Sequence, residues 1–362
     1  MKKIVMFDGE IETQQYFTYR MREEFQRLGH EVYTFNLSKT GESLTGLMRF
    51  VEQGNTALVC FNFHGITPGD IFWQDGEWFW DAIECTCYNI VVDHPFYYHR
   101  FLDVAPKRYV HISIDRKHDL YMQKYFPEKL RIPFLPLAGT ELYPNKSSVP
   151  VTCRRYDVMM VGNYCVPKTF ERFITRIDDE YTAFYYGMID DLFANPHRTV
   201  EEVAEAHLRD ELGEVPEEEL KKTMAALTFI DLYVRYTLRG RIVQELVDAD
   251  GWDQLSCRYE ENLILMNNLD SAGCLKKLCQ AKISLNVMPW FKDGAHDRIF
   301  NSMLNGAVCL TDSSIYLDGI LHDNVDCSLY SLKEIEKLPE IAGQLLMDPD
   351  RMQQIADEGY RL

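Results

Sequence analysis

AKISLNVMPWFKDGAHDRIFNSMLNGAVCLTD, residues 281–312, reads as strand, loop, helix and strand. Lys282 to Val287 is a short apolar run with the β-formers of a buried strand, and Ala307 to Thr311 is another. Between them the polar run Lys292, Asp293, Gly294, Ala295, His296, Asp297, Arg298 interrupts the apolar pattern, and Asp297 to Asn305 then takes the period of a helix. Two parallel strands joined through a helix are the unit from which helix-covered sheets are built.

The same alternation extends outward in both directions. Downstream, a strand is expected near Val325 to Leu329, followed by helices at Leu332 to Leu346 and Pro349 to Gly359. Upstream stands a strong strand at Tyr156 to Val161. The stretch Thr199 to Val247 between is charged and helical in period, with Glu201, Glu202, Glu205, Glu211, Glu214 and Glu217 to Glu219 on solvated faces, and reads as a helical insertion. Further upstream, strands are expected at Ile4 to Phe7, Glu31 to Asn36, Ala57 to Phe63, Tyr88 to Val92, Tyr109 to Ile114 and Ile132 to Leu137. Thr13 to Leu28 is a helix whose Tyr16, Phe17, Met21, Phe25 and Leu28 share one face, closed by Gly29. Asn145 to Ser148, before Val149 and Pro150, is a polar break. The expected architecture is α/β with two Rossmann-like domains, residues 1–150 and 151–362, the insertion lying in the second.

A chain of 362 residues is long enough for two cores, and 46% hydrophobic with 26% charged residues is a globular composition. The formal net charge of -18 argues against the broad basic face that nucleic acid or an anionic membrane requires. Any anionic ligand must then be met by a local cluster of cations and amides. The N-terminal MKKIVMF is too short in apolar residues for a signal peptide, and no run approaches a membrane span, so a cytoplasmic protein is expected. Ten cysteines with no Cys-x-x-Cys pair read as reduced core residues.

The densest polar cluster follows the Ile283 to Val287 strand and precedes a helix, an arrangement that offers amides and a positive dipole end to a phosphate. Lys292 and Arg298 would supply fixed charge to a diphosphate, and the bland alternative is a solvated loop. Gly162 and Asn163, after the Tyr156 strand, read either as a close-approach site for phosphate or sugar or as a plain turn. Thr311 and Asp312 end the next strand and either line the site or cap a helix. Asp93 and His94 stand at the end of the fourth strand, with His64 after the third. They are the candidates for a general base, against a proline-fixed turn for Asp93-His94-Pro95. Trp73, Trp78, Phe79 and Trp80 form either an aromatic platform for a sugar or half-buried core. His94, His99, His111 and His118 lack metal-ligand spacing. No Ser-His-Asp elbow, Walker loop or dinucleotide glycine fingerprint occurs.

Residues 281–317, AKISLNVMPWFKDGAHDRIFNSMLNGAVCLTDSSIYL, and the closing DPDRMQQIADEGY resemble the C-terminal domain of the CgeB-like, or spore-maturation-protein-like, glycosyltransferases of the GT-B superfamily. YDVMMVGNY at Tyr156 to Tyr164 and VVDHPFYY at Val91 to Tyr98 are weaker echoes. The resemblance implies two facing Rossmann-like domains with a nucleoside-diphosphate sugar, UDP-linked in the commonest case, held against the second. It implies a hexosyltransferase-like activity with Lys292, Arg298 and the amides after Gly294 on the departing diphosphate, His296 among the donor-binding residues, and no obligatory metal or other cofactor. Retaining members carry two carboxylates with seven residues between, the second on the ribose. Asp293 and Asn301 stand at that spacing here, so an amide replaces the second carboxylate.

The acceptor is a glycan, a lipid-linked intermediate or a protein, and the insertion serves self-association or acceptor binding. Two other functions fit the same scaffold: a nucleotide-sugar epimerase or hydrolase, and a non-catalytic module that only binds nucleotide sugars.

Overall fold

The computed structural model describes residues 2–9, 11–143, 149–249, 257–261 and 270–362, with 257–261 as backbone alone. Contacts divide the chain into two compact units, residues 1–135 and 136–362. The polar break Asn145 to Ser148, and with it the basis for a boundary at 150, lies outside the described residues. Residues 136–143 pack with the second unit: the Thr140 and Leu142 amides donate to Asn301 Oδ1 at 2.7 Å and Asn305 Oδ1 at 3.0 Å.

The first unit holds β1 (Lys3–Asp8), β2 (Glu31–Asn36), β3 (Thr56–Phe61), β4 (Trp73–Gln74), β5 (Glu77–Trp78), β6 (Thr86–Val91), β7 (Tyr109–Ser113) and β8 (Leu130–Ile132). Apart from the small antiparallel pair β4-β5, they form one parallel sheet in the order β2-β1-β3-β6-β7-β8. Ile4 to Phe7 are all buried, as in a strand covered on both faces. The helix Glu12–Arg27 covers one of them.

β3 stops two residues short of the expected Phe63 because Asn62 and Phe63 turn left-handed, φ 46° and 67°. Side chains replace the sheet bonds there: Asn62 Oδ1 accepts from the Val92 amide at 2.9 Å, and Asn89 Oδ1 from the Phe63 amide at 3.0 Å. β8 ends before Pro133, well short of the expected Leu137, since Pro133 and Pro136 have no N–H to continue a ladder. The aromatic segment is mostly core. Trp78 and Trp80 are buried, with indole N–H groups on Val104 O and Gly65 O, both at 2.7 Å, while Trp73 and Phe79 are half-buried.

The second unit contains β9 (Tyr156–Gly162), β10 (Cys257–Glu261), β11 (Ala281–Asn286), β12 (Val308–Thr311) and β13 (Ser328–Leu329), parallel throughout, in the order β10-β9-β11-β12-β13. Both sheets therefore reverse strand order beside their first strand, the doubly wound plan. The helical segment is larger than the sequence suggests: helices Lys168–Ile174 and Asp179–Ala194 precede Val200–Leu212, Glu217–Ala226 and Thr228–Asp248. Asp178 caps one of the added helices, accepting from the Tyr181 amide. Of the glutamates expected on solvated faces, Glu211, Glu214 and Glu217 to Glu219 are exposed, while Glu201, Glu202 and Glu205 are half-buried.

The helix expected from Leu332 begins at Leu338, after a single 3₁₀ turn at Ile335–Lys337, because Pro339 is tolerated only in a first turn. Pro349–Arg361 closes the chain. Of the cysteines, Cys60, Cys85, Cys87, Cys309 and Cys327 are buried thiols. Cys165, Cys274 and Cys279 are half-buried and Cys153 is exposed, so these four are not core residues, and Cys257 lies outside the described side chains. Among the described residues no helix is long and apolar enough to cross a membrane.

Candidate functional site

In open parallel sheets, ligands collect beyond the carboxyl ends of the strands where their order reverses. In the second unit that point lies between β9 and β11, and Arg298 occupies it. The loop after β11 returns to the helix Asp297–Leu304, whose first residues place Arg298 over both strand ends. Its Nη1 donates to Val161 O at 2.8 Å and its Nη2 to Val287 O at 3.5 Å. Gly162 makes room for it, since a Cβ there would lie 2.3 Å from Arg298 Nη1.

His296 is the N-cap residue of this helix. Burial and the charge of Arg298, opposed by Asp297, push its pKa down to about 4, so the ring is neutral near pH 7. As the cap, its Nδ1 accepts from the Arg298 amide at 3.1 Å and from Arg298 Nε at 3.2 Å, and Asp297 Oδ1 lies 2.7 Å from the same nitrogen. Burial works against ionisation of Asp297, but His296, Arg298 and Asn301 together hold its pKa below the ordinary value.

The other expected residues are distributed as follows. Lys292 is buried, with Nζ 3.8 Å from the centre of the Trp290 ring. Gly294 is buried and its carbonyl accepts from Ser314 Oγ at 2.6 Å, tying the loop to the segment after β12. Asp293 is half-buried beside it. Thr311 and Asp312 lie under the site: Thr311 Oγ1 accepts from Asn286 Nδ2 at 2.9 Å, and Asp312 Oδ1 from the Met288 amide at 2.9 Å. Burial pushes the Asp312 carboxyl up to about 6, although the Met288 amide and Lys292 pull it down. Ser314, not Asp312, caps the short helix Ile315–Asp318. Asn163 offers its backbone, its carbonyl accepting from Arg239 Nη1 at 2.7 Å.

Asn301 departs from the expectation that its amide serves a ribose. Its Oδ1 accepts from the Thr140 amide, and its Nδ2 donates to Asp297 Oδ2 at 3.0 Å. Its side chain binds the chain to itself.

In the first unit, the carboxyl ends of β3 and β6 carry a second polar group. Asp93 Oδ2 accepts from Asn62 Nδ2 at 2.9 Å and from the Tyr98 hydroxyl at 3.1 Å. His94 serves the turn: its Nδ1 accepts from the Phe96 amide at 3.2 Å and its ring stacks on Phe96. His64 is half-buried in the loop after β3. The sequence reading missed Asn62, Tyr98, Asn286 and Arg239. Asn286 has a buried Oδ1 with no hydrogen-bond partner among the described residues. Arg239 is buried beside Leu238, at the edge of the apolar stripe Ile230, Val234, Leu238, Ile242, Leu246 of its helix, a placement that helical period does not single out. Among the described residues no group of three or more His, Cys, Asp or Glu side chains is placed to hold a metal.

Each unit is a Rossmann-like domain on a parallel doubly wound sheet, the GT-B type of fold, and solved structures carry the same fold. An alpha-glucosyltransferase in complex with UDP superposes with a TM-score of 0.54 at 10% identity, covering 100% of this chain and 95% of that one. An alpha-glucosyltransferase in complex with UDP and a 13-mer DNA with a central A:G mismatch gives 0.52 at 10% identity, covering 100% and 94%. More particularly, residues 218–362 match the model of a family described as glycosyl transferase-like. No curated protein matches the chain.

Proposed function

We propose that this chain transfers a sugar from a nucleoside-diphosphate sugar, UDP-linked by preference, to an acceptor hydroxyl or other nucleophile, as a member of the CgeB-like branch of GT-B enzymes. The observation that carries the reading is Arg298: a guanidinium fixed to two strand ends at the switch point, at the first turn of a helix. Charge develops on the departing diphosphate, and a preorganised cation with helix amides stabilises it without rearrangement during the reaction. Lys292 adds charge from within, and Asp293, half-buried in the same loop, is the catalytic carboxylate of this reading. Gly162, Asn163, Gly294, His296, Thr311 and Asp312 form the bed. The diphosphate needs no metal in this reading, so a chelator leaves the rate unchanged.

If the configuration inverts, Asp93 is the base. Asn62 and Tyr98 anchor one of its oxygens and leave the other for the acceptor proton. Loss of a positioned base costs about 10²- to 10⁴-fold in rate, so Asp93→Asn should remove transfer while leaving diphosphate affinity intact.

A thermal-shift panel of UDP, ADP, GDP and dTDP with their sugars tests the reading, because a ligand at 100 times its Kd stabilises by about 2.7 kcal/mol. One nucleotide should raise Tm, and an Arg298→Ala variant should need about ten- to a hundredfold more of it. No shift with any member would overturn the proposal. Release of an epimerised sugar without acceptor would favour the epimerase reading instead.

A further inference from the structure

The helix Thr228–Asp248 has no role in the reading above, yet it reaches the same strand end. Arg239, only 4% exposed, donates from Nη1 to Asn163 O at 2.7 Å. Arg298 donates to Val161 O from the other side. The two guanidiniums therefore grip the backbone on either side of Gly162, at the carboxyl end of β9.

Aromatic packing fixes the helix in that place. Tyr236, one turn before Arg239, stacks on Phe170 at 5.9 Å and meets Tyr164 edge-on at 6.1 Å. Gly240 keeps the surface low, for a Cβ there would stand 3.2 Å from the Tyr164 hydroxyl. The Arg239 charge is felt at the donor loop: it is among the groups that lower the pKa of His296, after burial and Arg298, and it opposes the burial-driven rise of Tyr330. Burying a guanidinium costs several kcal/mol in desolvation. An uncharged side chain at this position would avoid that cost.

We infer that Arg239 is the second cation of the diphosphate site, which makes the helical segment part of the nucleotide-sugar pocket instead of an appendage for self-association or acceptor binding. This rests on the function proposed above. A diphosphate carries more charge than one guanidinium neutralises, and two forks held at fixed points address its two phosphoryl groups separately. The bond to Asn163 sets the plane of the Arg239 fork, as the bonds to Val161 and Val287 set that of Arg298.

Calorimetry on the full chain tests this with four nucleoside diphosphates (UDP, ADP, GDP, dTDP) and the matching nucleosides, on wild type, Arg239→Gln and Arg239→Met. Methionine keeps the packing of the stripe, so it guards against loss of fold. Both variants should bind the preferred diphosphate about ten- to a hundredfold more weakly and its nucleoside within about twofold of wild type. Unchanged diphosphate affinity would overturn the inference, and so would an equal loss for diphosphate and nucleoside, the mark of a structural role. If wild type binds no diphosphate, the donor reading itself falls. If wild type binds and the variants match it, only the Arg239 assignment falls.

Discussion

At Gly162 the absent side chain is what allows Arg298 into place. Its φ is ordinary, so Gly162→Ala keeps the backbone but drives a methyl into Nη1 of Arg298. The variant should fold with a near-normal Tm and lose diphosphate affinity as Arg298→Ala does, and the double variant should be no weaker than either single one, read by titration calorimetry. Two titrating groups nearby oppose each other. Asp312, raised to about 6, contributes stability at low pH that is lost as pH rises through about 6. His296, depressed to about 4, contributes stability above its unfolded pKa that is lost as pH falls through about 4. In wild type the two partly cancel between about pH 4 and 6. Asp312→Asn keeps the acceptor for the Met288 amide and removes one of them, so its Tm should climb more steeply with pH across that window than the wild-type Tm. The sequence made the polar loop legible at this scale, because cations beside a glycine and a helix start carry their chemistry locally. It could not show Arg239, whose role comes from a helix folding back over a distant strand end.

Strands of the first unit were legible from apolar runs, and most errors lie at their ends, where Asn62 and Pro133 impose local geometry that periodicity does not see. The helices Lys168–Ile174 and Asp179–Ala194 were missed because aromatic residues surround them on several faces and blur the polar side. Within the Asp297–Leu304 helix, the bonds of Asn301 suit an amide and not a carboxylate: its N–H reaches Asp297 and its oxygen receives the Thr140 amide. Asn301→Asp should therefore set two carboxylates against each other and lower stability by about 1.5–3 kcal/mol at neutral pH, the scale of one hydrogen bond to a charged group. Thermal melts should show the deficit shrinking as the pH falls towards 4. The helix Val200–Leu212 begins with a capping box, Thr199 Oγ1 accepting from the Glu202 amide and Glu202 Oε2 from the Thr199 amide. Thr199→Ala should cost about 1 kcal/mol and lower the Tm of the second unit by about 2–4 °C.

Over the whole molecule, every donor-side residue proposed here lies in residues 136–362. Added nucleoside diphosphate should therefore slow amide hydrogen exchange most at Tyr156–Tyr164, at 286–312 and along the Thr228–Asp248 helix. Protection confined to the loop after β11, with that helix unchanged, would contradict the role given to Arg239. The parallel pairing of β9 with β11 has a further consequence, for time as well as space. Roughly 120 residues of chain separate the two strands, and closing so long a loop before that pairing is gained makes the step slow. On a ribosome adding about 5–20 residues per second, β9 waits on the order of ten seconds for β11, its partner on the core side of the sheet. Val158, Met159, Met160 and Val161, all buried at the end, stay sticky for that interval, and the nascent chain depends on its own helices or on a chaperone to shield them.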